Sequence, residues 1–213
     1  MGLIWALLTA SAACAGLFLV FYAVRPPSLA KTAVKTASVA GLALIAVLMR
    51  APDLLVAALF LGAVGDLALS RDGDKAFIAG LVAFALSHLA YVALIWSIGA
   101  AMSANLLAWG VVVFAAGVLT VLFPRAGALR WPVAVYVGLI ALMGASAFSL
   151  PANRWIAICA AGLFIISDTI LGFDRFVWTR DSMVKRVAPY AIWTTYWLAQ
   201  LGFLTAFALE RLG

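Results

Sequence analysis

Long apolar runs alternate with short polar breaks from one end of this chain to the other. A helix needs about 20 apolar residues to cross the hydrocarbon core of a bilayer. On that scale the pattern predicts eight spans, at roughly 3–24, 32–49, 54–70, 76–97, 104–123, 131–150, 153–172 and 188–209. The breaks carry turn chemistry. Arg25-Pro26-Pro27 ends the first span, Ala51-Pro52-Asp53 separates the second from the third, and Arg71-Asp72-Gly73-Asp74-Lys75 joins the third to the fourth. Pro124-Arg125-Ala126-Gly127 follows the fifth span and Pro151-Ala152-Asn153 the sixth. The longest polar stretch, Asp174 to Arg186, precedes the last. The expected fold is all-α: a polytopic bundle of eight transmembrane helices forming one domain over residues 1–213.

Composition sharpens this reading. The chain is 67% hydrophobic, with mean hydropathy +1.17 and 10% charged residues, where a soluble domain has about 25%. That excludes a soluble globular class. The net charge of +6 does not point to nucleic acid, because the basic residues sit in short loops between apolar runs, where they report topology. The loops after spans one, three, five and seven hold Arg25, Lys31, Lys35, Arg71, Lys75, Arg125, Arg130, Arg175, Arg180, Lys185 and Arg186; the other side holds only Arg50, Arg154 and Arg211. Both termini are therefore expected on the non-cytoplasmic side. The first run has no charged n-region and reads as a span rather than a cleaved leader. The expected location is an integral, multi-pass one, in the plasma (inner) membrane if the source is bacterial. Membrane lipids are the expected surroundings, and no obligate protein partner is inferred.

Two aspartates lie inside otherwise apolar spans. Asp66 falls in Val64-Gly65-Asp66-Leu67 and Asp168 in Ile166-Ser167-Asp168-Thr169. A carboxylate at the centre of a membrane helix costs about 2.5–3.5 kcal/mol or more, so such residues are functional candidates. Both spans run toward the cytoplasm, and at 1.5 Å rise per residue both acids lie roughly 7–9 Å inside the cytoplasmic end. Each is followed six residues later by a second aspartate, Asp72 and Asp174. The two segments sit four spans apart in the same direction, as a parallel internal repeat would place them.

Spans four and eight offer partners. Ser87, His88 and Tyr91 fall in the fourth, with His88 and Tyr91 on one helix face. Tyr196 and Gln200 share a face of the eighth, with Trp193 a turn earlier. A histidine, hydroxyl donors and two carboxyls suit proton transfer; the same polar groups also serve as interhelical hydrogen-bonding glue. Lys35, about a turn into span two, either snorkels to the interface or faces inward to hold a phosphate or an aspartate. Gly62, Gly65 and Gly80 permit close helix packing. Cys14 and Cys159 read as small core hydrophobes. With one histidine and no paired Cys/His motif, no metal or other cofactor is expected.

The order Gly65-Asp66-Leu67-Ala68-Leu69, Phe77, Gly80, Phe84-Ala85-Leu86-Ser87-His88-Leu89-Ala90-Tyr91, Ser167-Asp168-Thr169-Ile170-Leu171 and Tyr196-Trp197-Leu198-Ala199-Gln200 resembles the YhhN family of membrane proteins, which includes the lysoplasmalogenases. The family's Lys-Pro pair near the second span is missing, since neither Lys31 nor Lys35 precedes a proline. The resemblance implies hydrolysis of the vinyl ether bond of a lysophospholipid, a lysoplasmalogen, to a fatty aldehyde and a glycerophospho-ethanolamine or -choline. Such chemistry needs one acid to protonate the alkene and one carboxylate to stabilise the cation and activate water. On this expectation Asp66, Asp168 and His88 are catalytic, and Tyr91, Ser87, Tyr196, Gln200 and Lys35 contact substrate. A proton-coupled transporter using the same Asp/His set is the alternative, and an intramembrane aspartic peptidase a third reading.

Overall fold

A computed structural model describes residues 1–99, 105–179 and 181–208. Two residues used to orient the chain, Arg180 and Arg211, lie outside the described residues, as do the expected start of the fifth span at 104 and the end of the eighth at 209. The described residues form eight α-helices and no strand: α1 (Gly2–Leu17), α2 (Leu29–Leu48), α3 (Asp53–Leu69), α4 (Asp74–Ser97), α5 (Leu106–Leu122), α6 (Arg130–Phe148), α7 (Trp155–Phe176) and α8 (Met183–Phe207). A π-helical turn, Phe18–Tyr22, extends α1. Five of the helical segments are long and apolar enough to cross a membrane; they contain α1, α2, α4, α6 and α7. Large apolar side chains such as Trp5, Leu106, Val113, Trp131 and Val135 are mostly exposed on the outer surface. So wide an apolar exterior is unsuited to water, and the chain is an integral membrane protein.

Local chemistry sets the helix ends. Ser28, Asn105 and Ser182 cap α2, α5 and α8, each accepting a backbone N–H three residues on. Gly73, at φ 98°, turns the chain from α3 into α4, a left-handed geometry that glycine adopts without strain. Successive helices pack as neighbours, α1 on α2, α3 on α4, α5 on α6 and α7 on α8; α4 joins α6, and α8 returns to touch α2 and α3. The core between them holds Leu42, Leu59, Tyr91, Phe164 and Phe203, all fully buried.

One boundary differs from expectation. The polar stretch from Asp174 to Arg186 is mostly helical: Asp174 and Arg175 belong to the end of α7, and α8 starts at Met183. Pro189 therefore lies inside α8. It sits early in the helix, where its missing N–H releases a single carbonyl, that of Lys185. The Ser182 cap and an ion pair from Lys185 to Asp174 at 3.2 Å fasten this corner.

Candidate functional site

The polar groups of α2, α3, α4, α6, α7 and α8 converge near one end of the bundle, in two clusters, each built on an aspartate. Asp66 faces inward from the last turn of α3 and is 1% exposed. Its Oδ1 is paired with Lys35 Nζ of α2 at 3.1 Å. Its Oδ2 accepts a hydrogen bond from the Tyr196 hydroxyl of α8 at 2.8 Å. Gln200 Nε2 donates to the Tyr196 oxygen at 3.1 Å, and the Tyr91 hydroxyl of α4 donates to Gln200 Oε1 at 2.5 Å. The chain Tyr91–Gln200–Tyr196 thus ends on the carboxylate.

This approach depends on two glycines. A Cβ on Gly62 would lie 2.3 Å from Gln200 Nε2 and 3.2 Å from the Tyr196 hydroxyl oxygen. One on Gly65 would lie 2.6 Å from the Phe84 ring, which meets Tyr196 edge-on at 5.4 Å. Small residues here let α8 and α4 close on α3, as the spacing suggested.

Asp168 has a different set of partners. The Tyr136 hydroxyl of α6 donates to its Oδ2 at 2.8 Å. His88 of α4, fully buried, places Nε2 3.6 Å from the same oxygen. The other ring nitrogen, Nδ1, lies 2.6 Å from the Phe84 carbonyl oxygen. A carbonyl only accepts, so Nδ1 carries the proton. In the neutral ring, Nε2 then presents a lone pair to Asp168, with no donor among the described residues within hydrogen-bonding distance. A proton on either Asp168 or Nε2 satisfies this face. Phe164 and Tyr136 pack edge-on against the His88 ring at 4.6 and 5.6 Å and keep it in place.

Both aspartates line one cavity of about 300 Å³. Its walls include Lys35, Phe84, Ser167, Trp193 and Tyr196. Phe18, on the π-helical turn, packs against Trp193 in a tilted arrangement with ring centroids 4.3 Å apart, and Lys35 Nζ lies 5.8 and 5.7 Å from these two rings. π-Helical turns often sit at functional sites. Lys31, Arg71, Asp72 and Asp174 also line the cavity, so its outer part mixes both signs of charge. The helix ends gathered here are those of α3 and α7 and the starts of α2 and α4.

The model of the YhhN family matches residues 30–207, most of the chain. The protein belongs to the YhhN family. No curated protein and no solved structure matches it. In this YhhN protein the matched region covers both aspartates and every donor described above, while Phe18 precedes it.

The structure thus brings seven of the eight expected residues into the two clusters. Asp66, Asp168, Lys35 and Tyr196 reach the cavity wall; His88 stands behind Asp168, and Tyr91 and Gln200 stand behind Tyr196. Ser87 differs: its buried hydroxyl donates to the Ala58 carbonyl at 2.8 Å and ties α4 to α3, away from the cavity lining. Ser167 does the same between α7 and α8, donating to the Ile192 carbonyl at 3.0 Å, although it also borders the cavity. Tyr136 is the partner that sequence reading missed. A tyrosine six residues into an apolar span looks like an interface aromatic, and only tertiary packing reveals it as the donor to Asp168. Among the described residues, no group of three or more His, Cys, Asp or Glu could hold a metal ion.

Proposed function

We propose that this YhhN protein is an intramembrane hydrolase that cleaves the vinyl ether bond of lysoplasmalogens, with Asp168 as the acid and Asp66 as the base. The observation that carries the reading is the unequal company of two acids on one cavity. Asp66 is held by a lysine ammonium, the partner of an ionised carboxylate. Among the described residues Asp168 meets a tyrosine hydroxyl and a histidine lone pair, an environment that accommodates a carboxylic acid and can resupply its proton. Two carboxyls in one water-poor site divide acid and base roles when their surroundings differ in this way.

The chemistry then balances. Asp168 gives its proton to the alkene carbon remote from the ether oxygen, forming a C–H bond from the π electrons. The carbon attached to oxygen becomes an oxocarbenium ion, which the Asp66 carboxylate stabilises. Water bonds to that carbon as Asp66 takes its proton. The hemiacetal collapses: its C–O bond to glycerol breaks, Asp66 protonates the leaving glycerol oxygen, and the hemiacetal hydroxyl returns its proton to Asp168. The products are the aldehyde and the glycerophospho-alcohol, and both carboxyls are reset. Lys31 and Arg71 with Asp72 and Asp174, at the outer part of the cavity, complement a zwitterionic phospho-ethanolamine or -choline head group.

In this reading all eight helices cross the membrane, both termini are non-cytoplasmic, and the cavity opens to the cytoplasmic leaflet. The eleven-to-three distribution of lysine and arginine supports that orientation. Purified protein given lysoplasmenyl lipid is expected to release long-chain aldehyde. Asp66→Asn and Asp168→Asn, checked for folding, are each expected to abolish release; wild-type turnover in either folded variant overturns the assignment.

A further inference from the structure

A second cavity meets the first at Asp168. It is narrow, about 50 Å³, and lies between α4, α5, α6 and α7. Phe77, Leu171 and Asp168 border both cavities. Apart from Asp168, its hydrogen-bond donor Tyr136 and Thr169, the lining is entirely apolar. Along α5 the cleft runs from Val111 to Leu122, about 16 Å at 1.5 Å per residue. Its deeper end is formed by Val111, Ile140 and Ile165, and Phe114, half exposed on its rim, stands on the outer face of α5.

Building on the hydrolase reading, we propose that this cleft binds the single aliphatic chain of the substrate, which leaves the polar cavity beside Asp168 and lies between α5 and α6. The two cavities have opposite chemistry and share one reactive side chain. A molecule with a charged head and one apolar tail, filling both, must place the junction of head and tail at Asp168. In a lysoplasmalogen that junction is the vinyl ether. So narrow a cleft admits at most one chain and leaves a second without a place, so selection against two-chain lipids comes from the same feature. Ala115 and Ala141 line it from α5 and α6. As small residues they set its width, and they belong to neither aspartate cluster.

The test is photo-crosslinking of the whole purified protein in detergent with a lysophospholipid that carries a saturated alkyl ether and a diazirine near the tail end. The alkyl ether lacks the alkene, so labelling is independent of hydrolysis. Label is expected on residues 111–118, 137–141 and Ile165, displaced by unlabelled one-chain lipid and not by two-chain phospholipid. Ala141→Trp and, separately, Ala115→Trp are expected to lower that labelling about tenfold or more, the effect of overfilling a packed site. Label confined to residues that do not line the cleft, or displaced equally by two-chain lipid, overturns the proposal, and the wild-type map gives this answer even if a tryptophan variant fails to fold. Aldehyde release by the wild-type protein is scored separately. Label in the cleft without aldehyde release keeps the chain site and refutes the hydrolase; aldehyde release with label elsewhere does the reverse.

Discussion

Replacing Lys35 by methionine tests the inner electrostatics of the site directly. The ammonium lies 3.1 Å from Asp66 Oδ1, an attraction of about 5 kcal/mol at an effective dielectric near 20. Asp66 is 1% exposed, so the little water that reaches it from the cavity only partly offsets the lost cation. Breaking one side of such a buried pair costs about 3–5 kcal/mol. The Lys35 side chain is 14% exposed, which places the expected loss toward about 3 kcal/mol. Unfolding in mixed micelles of rising SDS fraction, followed by tryptophan fluorescence, measures it. Asp66 in the variant can escape the penalty by taking up a proton, and turnover then falls because the base is gone. The double variant Lys35→Met/Asp66→Asn removes both charges and is expected to regain most of the stability without regaining activity. A single variant within about 1 kcal/mol of wild type, the value of an exposed pair, and with unchanged turnover refutes the reasoning.

Three further substitutions separate chemistry from packing. Gly62→Val places methyl groups where Gln200 and Tyr196 now sit and is expected to cost about 1–3 kcal/mol, together with activity, in the same micelle and aldehyde assays. Tyr136→Phe deletes the donor to Asp168; the loss of about 1.4 kcal/mol of transition-state support corresponds to roughly tenfold in turnover, with little change in unfolding, and an unchanged rate would show that Asp168 does not work through this contact. Ser87→Ala breaks only the bond to Ala58. It is expected to cost about 0.6 kcal/mol, up to about 1.7, as membrane hydrogen bonds do, and to leave turnover per folded molecule as it was.

The helices were legible because hydrophobic length and turn residues are local signals, and seven of the eight helices begin within a few residues of where the pattern puts them. The start of α8 was not. Its first turn carries Lys185 and Arg186 and is followed by Pro189, which together look like a loop, whereas a capping serine and an ion pair across to α7 hold it helical. Depth along each helix was legible too, and it correctly grouped Asp66 with Asp168 at one end. Direction around the helix was less so. Nothing local distinguishes a Lys35 that snorkels from one that turns inward to Asp66, and nothing local marks Tyr136 as a partner of Asp168. Ser87 illustrates the opposite error: beside His88 in sequence, it points to another helix about 100° away around α4.

The two aspartate clusters are related by helix order, and this explains why one chain can hold two such different acids. Asp66 on α3 takes one partner from the preceding helix, Lys35 of α2, and one from α8. Asp168 on α7 takes one from its preceding helix, Tyr136 of α6, and one from α4. Advancing by four helices carries α2 to α6, α3 to α7 and α4 to α8, so each acid is held by the helix before it and by the last helix of the opposite half. The sequence echo between the two aspartate segments and the partners of the two aspartates follow the same four-helix offset. In a symmetric pair the two carboxyls would have equivalent partners and neither would have a fixed role. Here the equivalent helices supply different side chains, an amine with a hydroxyl at Asp66 and a hydroxyl with an imidazole at Asp168. The scaffold supplies two buried carboxyls near one place, and the exchange of Lys35 for Tyr136 and of Tyr196 for His88 between equivalent helices is what makes them unequal.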